Sequence, residues 1–182
     1  TGSITIWSPT TVYSGSGLVS WNADSDGNAA GSLIVSGSGN VSVASGAASL
    51  LSLTGADVDI SSTVGGVQAG SCPIVVIPST SSVAMKLGGT NTATFYLSAS
   101  EVSLITTSSY LQFGGSSSTS IVVDGVSYLG PASPVQIWAT SLASTSSSVT
   151  FSGGVSIFGY ILDIRATGSV VVSSNVTSMY LS

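Results

Sequence analysis

The side chains able to do acid–base, metal or nucleophilic chemistry are few: seven acids, two bases, one cysteine and no histidine. Asp24-Ser25-Asp26-Gly27-Asn28 begins like a calcium loop, with acids at alternate positions and a glycine for a tight turn. The further ligands such a loop needs, including a terminal Glu, do not follow, so a solvated turn is expected. Asp57 and Asp59 alternate with Val58 and Ile60, which places both carboxylates on one face of a strand. Glycoside hydrolysis needs two acids facing each other across a sugar, so these two are read as solvent-facing. Cys72 sits beside Pro73 and the apolar run Ile74–Ile77, where a buried, inert thiol is expected. As the only cysteine it makes no intrachain disulfide, and the histidine that would activate it as a nucleophile is missing. The same lack removes a Gly-x-Ser-x-Gly hydrolase elbow. Gly15-Ser16-Gly17 and Gly37-Ser38-Gly39 lack the Lys and following helix of a phosphate loop. The expectation is a protein that is not an enzyme, with no cofactor and no metal.

Charge bounds the partners. Lys86 and Arg165 are the only basic residues, so no basic footprint for nucleic acid can be assembled. The formal charge is −5 at neutral pH, and protonating every carboxylate takes the side chains only to about +2. Acid unfolding is driven by protonating paired carboxylates and accumulating positive charge. A chain with so little to titrate is expected to be acid-stable, with hydroxyls replacing charges as its solubilising groups. The longest strictly apolar run is Ile74–Ile77, so no membrane span is expected. The sequence opens at Thr1 with no basic-then-apolar leader, and is read as a processed, secreted chain.

The elements that must carry these residues are strands. Ser and Thr contribute 42 and 18 of 182 residues, while Glu, Lys, Arg and Gln together supply six, which excludes a mostly helical protein. Apolar residues alternate or cluster at strand spacing in 32–36, 40–44, 57–61, 83–87, 93–97, 101–105 and 110–114, and again in 120–124, 135–139, 148–152, 155–164, 169–173 and 177–181. Gly, Ser, Asn and Pro clusters separate them. Short strands every 8–12 residues predict an all-β fold, a sandwich or barrel-like head. The alternative is a parallel β-solenoid, whose flavour is strongest over 31–70, although no repeat of fixed length aligns beyond that stretch. Residues 1–21 are read as a β-prone arm and hinge, with Ser14-Gly15-Ser16-Gly17 as the flexible joint, and residues 22–182 as the head. The strand at 177–181 runs to the end of the sequence and is expected to be held in its own sheet.

This layout suggests polymerisation. If the head lacks one strand, the arm of an identical subunit can fill the groove by strand addition, with Ile4, Ile6, Trp7, Val12 and Tyr13 as the buried donor residues. Such contact is head-to-tail and propagates as a filament. Asn40-Val41-Ser42 and Asn175-Val176-Thr177 are sequons, making Asn40 and Asn175 candidate acceptors for N-linked glycans.

In composition and layout over its whole length, with the apolar segment Ser3-Ile4-Thr5-Ile6-Trp7 at its start, the chain resembles the subunits of archaeal threads. These are thin, glycosylated cell-surface filaments of thermoacidophiles, assembled by donor-strand complementation. The resemblance implies a β-sandwich head, an N-terminal tail inserted into the next subunit, and glycans on sequon asparagines. The function expected is that of a structural subunit of an extracellular filament, serving adhesion or biofilm cohesion. The alternative is a monomeric β-solenoid adhesin or carbohydrate-binding module, with Trp7, Trp21 and Trp138 offering sugar-stacking rings.

Overall fold

A computed structural model describes residues 2–13, 17–43, 48–131 and 133–180. The chain winds through successive coils that lay strands on three faces, the last of them on two. The first coil is β1 (Ile4–Ile6), β2 (Pro9–Val12) and β3 (Gly17–Asn22). The second is β4 (Ser32–Gly37), β5 (Asn40–Val43) and β6 (Ala48–Gly55), and the third is β7 (Asp57–Ser62), β8 (Val67–Gln68) and β9 (Ile74–Pro78). The fourth is longer: β10 (Val83–Gly88), β11 (Phe95–Leu97), a short helix α1 (Ala99–Ser103), β12 (Ile105–Thr106) and β13 (Leu111–Gly115). Then come β14 (Ser118–Asp124), β15 (Ser127–Tyr128) and β16 (Val135–Ala139), followed by β17 (Ser148–Phe151) and β18 (Ser156–Ala166). The last coil holds β19 (Ser169–Val172) and β20 (Val176–Tyr180).

The protein is all-β, as its composition predicts. Every strand ladder among the described residues is parallel. The arrangement is therefore the solenoid alternative, in place of a sandwich of antiparallel sheets or a closed barrel. The first face runs β1-β4-β7 and then β11-β10-β14-β17-β19. The second carries β2-β5-β8-β12, then β15, β18 and β20, and the third runs β3-β6-β9-β13-β16-β18. β18 bends across a corner: Ser156–Phe158 pairs with β20 and Leu162–Ala166 pairs with β16.

Alternation explains the stack. Along each strand one set of side chains points inward and the next points out. The inward set is mostly Val, Ile, Leu and Phe, and register places like on like, as in Leu33 against Val58 and Ile121 against Val149. Phe95, Phe113, Phe151 and Phe158 are fully buried at the centre, each contributing roughly 1.5–3 kcal/mol by its burial. No coil can bury its apolar side alone, so stability comes from stacking. Corners are tight: a Cβ at Gly39 would lie 2.2 Å from the carbonyl oxygen of Ile6, so only glycine lets the β4–β5 corner approach the coil before it.

β1, β2 and β3, the described strands of the expected arm, are part of this stack and not a separate arm. Ile4 and Ile6 pair in register with Leu33 and Val35 of the same chain, and Val12 pairs with Val43. The strand expected to be lent to a neighbour is held in its own molecule, because its inward residues extend the same apolar column. The joint at 14–16 lies outside the described residues, as does Leu181 of the C-terminal strand. The stretch 101–105, expected as a strand, begins inside a helix. Residues 99–103 are helical, held by a capping box in which the Ser98 hydroxyl accepts from Glu101 N–H and the Glu101 carboxylate accepts from Ser98 N–H.

Candidate functional site

Several of the acids hold neighbouring parts of the fold together. Asp24 is 2% exposed and is not the solvated residue expected of a polar turn. Its carboxylate accepts from the Asn28 and Ala29 backbone N–H groups at 3.2 and 3.0 Å and from the Ser79 hydroxyl at 2.6 Å. The Ser79 bond, opposed by burial, holds its carboxyl below the usual range. Asp26 accepts instead from the Asn28 side chain. Among the described residues no three His, Cys, Asp or Glu side chains gather where they could hold a metal ion.

Asp57 and Asp59 share one face of β7, as the alternation predicts, but both are half-buried. Asp57 accepts from the Tyr96 backbone N–H at 3.1 Å, and Glu101 accepts from Ile60 N–H at 2.9 Å. Two carboxylates thus bridge the seam where β11 enters between β7 and β10. Burial pushes the Asp57 carboxyl up, and the nearby charges of Glu101 and Asp59 add to the rise. Asp124 has the opposite environment. Gly154 N–H donates to it at 2.8 Å and Lys86 lies 3.3 Å away, and these hold its carboxyl below the usual range. Lys86 pairs with Asp124 and Arg165 with Asp163.

Cys72 is buried, its thiol lies 3.4 Å from the Pro73 carbonyl, and burial pushes its pKa up, as fits an inert group. A shallow open groove of about 320 Å³ is lined by Gln68, Gly70, Thr106, Thr107, Ser108 and Pro131. Two of its hydroxyls are engaged in the fold: Thr107 donates to the Cys72 carbonyl at 2.6 Å and Ser108 to that of Gly70 at 2.9 Å. The tryptophans form no shared platform. Trp21 packs against the core, Trp7 is 66% exposed over Gly37, and Trp138 lies beneath Arg165.

The two sequons differ. Asn175 is exposed at the corner before β20, with Thr177 also exposed. Asn40 is half-buried, its Oδ1 enclosed without a hydrogen-bond partner among the described residues, and a Cβ at Gly65 would lie 2.8 Å from that atom.

The most unusual surfaces are the ends of the stack. Among the described residues, β1 and β2 at one end, and β19 at the other, each pair with a strand on one side only. Inward Val170 and Val172 are 48% and 61% exposed because no further coil among the described residues covers them, and outward Val171 is 42% exposed. At the first coil Trp7, Tyr13 and Leu18 are exposed while Ile6 is nearly covered. All nine Asp, Glu, Lys and Arg residues lie between Asp24 and Arg165, so neither end coil bears a charged side chain. Proteins normally protect open strand edges with charge or proline, and here only Pro9, at the first position of β2, answers that description. Sequence reasoning found the apolar first segment but not the matching last one, whose valines read as an ordinary strand. Compared with family models, curated proteins and solved structures, the chain matches none.

Proposed function

We propose that the protein is a structural subunit of an extracellular, cell-surface filament, a homopolymer built head-to-tail for adhesion or biofilm cohesion. The observation that supports this is the pair of open, uncharged strand edges at opposite ends of one parallel stack. A contact between unlike ends is heterologous and does not close, so it propagates. The mode of joining differs from strand donation: the first coil stays in its own molecule, and whole coils stack. Low charge suits an acidic exterior, and the hydroxyl-rich outer faces supply solubility in place of charge. Asn175 is the better placed glycan acceptor of the two sequons. No helix of the described residues is long and apolar enough to cross a membrane.

Electron microscopy of the purified 182-residue chain tests the reading. Strands stack about 4.8 Å apart, so six to eight of them give a subunit repeat of about 30–40 Å along the fibre. Continuous fibres with that repeat are expected. Dispersed particles at all concentrations would point instead to the monomeric adhesin.

A further inference from the structure

We infer that the junction has one register, in which β19 and β20 of one copy pair with β1 and β2 of the next. This deepens the filament reading and rests on it. The occupant of the open end is a second copy because the two end coils match each other in spacing, polarity and charge. On the last coil the inward positions of the first two faces are Val170, Val172, Val176 and Ser178. On the first coil they are Ile4, Ile6, Thr10 and Val12. Both series step by two residues, then four, then two. A single alignment therefore places inward residue over inward residue on both faces and carries the chain around the corner without a gap or bulge.

Neighbouring coils inside the molecule do not achieve this. Between the first and second coils the partners of Ile6 and Thr10 are Val35 and Val41, so the second coil spends two more residues on its corner. The end coils fit each other more simply than the first fits its own neighbour. Polarity agrees as well, since every ladder within the stack is parallel and an end-on copy continues it without reversal. Val170 and Val172 would lie over Ile4 and Ile6, closing the exposed end of the apolar column. With no charged side chain on either coil, joining them buries no ionised side chain.

Outward Thr5 and Val171 become direct neighbours across the junction, within the Cα separation a disulfide spans. Within one molecule they sit on opposite end strands of the first face, more than about 30 Å apart. Any disulfide between them joins two copies, and native Cys72 is buried away from solvent. The experiment oxidises the full chain carrying Thr5→Cys and Val171→Cys under mild conditions and reads a non-reducing gel. A Thr5→Cys/Thr177→Cys chain serves as the wrong-face control. A ladder of multimers from the first chain and none from the second is the expected result. Fibres that give no ladder, or ladders from both chains, overturn the register while leaving the filament reading intact. Absence of fibres in the unmodified chain overturns both. A Val170→Asp/Val172→Asp chain tests the apolar contact separately. It should keep the β-sheet circular dichroism of the parent and lose assembly; retained fibres would defeat the stacking of this end.

Discussion

Arg165 holds its guanidinium 4.2 Å from the centre of the Trp138 ring, which is its register partner on the neighbouring strand of the third face. Asp163 completes the group, accepting from the indole N–H at 3.3 Å and pairing with Arg165 at 3.1 Å. Arg165 is 57% exposed on its side chain, so the ion pair itself is worth little. The planar stack on the ring carries more, and a lysine cannot reproduce it. Arg165→Lys should lower stability by about 0.5–1 kcal/mol in urea unfolding and shift the tryptophan emission. An unchanged midpoint would show that the stack is ornamental.

Asp24 organises the connection between β3 and β4 and ties it to the third coil through Ser79. Removing a buried acceptor leaves its donors unpaired, at about 1–3 kcal/mol. Asp24→Ala should therefore lower the melting temperature clearly, while Asp26→Ala, which loses the exposed contact with Asn28, should lower it less. Thermal melts of the two variants at pH 7 decide the matter.

Particular residues show how far the sequence could be read. The alternation of Val41 and Val43 or Val149 and Phe151 announced strands correctly, since period two is the same in any β fold. Pairing direction was not legible, because it depends on corners that turn the chain to the next face instead of reversing it. The coils are also unequal. β4, β7 and β14 begin at Ser32, Asp57 and Ser118, and the fourth coil inserts β10 and β11 on one face, which destroys any fixed repeat. α1 carried a visible signal in Ser98 and Glu101, but Val102 and Leu104 also alternate as a strand would. The apolar first coil was legible as a sticky segment. Its destination was not, since Ile4 and Ile6 suit a neighbour's groove as well as their own column.

The carboxylates give the pH dependence opposite signs. Asp57 has a raised folded-state pKa, so it binds a proton more tightly when folded, and its effect on stability declines as pH rises from about 3.8 through that raised value. Asp124 and Asp24 are lowered, so their contributions are present above about 3.8 and fade as pH falls through their folded values. Asp57→Asn keeps an oxygen for Tyr96 N–H but cannot ionise beside Glu101 and Asp59. It should stabilise the protein at pH 7 and change little at pH 2. Asp124→Asn should destabilise at pH 7 and be neutral at pH 2. Melting curves of the three proteins at the two pH values check both signs, and matching shifts at both pH values would refute the assignment.

Gly66 stands where the second face passes from the third coil to the fourth. Its φ of +140° is open to glycine but strained for other residues, and a Cβ there would lie 2.4 Å from the Leu104 carbonyl oxygen. That oxygen accepts the Val67 N–H at 3.0 Å, and the Gly66 carbonyl accepts the Val41 N–H at 2.8 Å. Relieving the clash by moving the backbone would break the hydrogen bonds that bind three successive coils. Gly66→Ala is expected to cost more than about 2 kcal/mol, from backbone strain and lost ladder bonds together. Gly2→Ala, where an added Cβ meets nothing within 4 Å, is the matched control and should be neutral. Urea midpoints of the two variants test this, and equal midpoints would mean that the second face tolerates a shift its packing forbids.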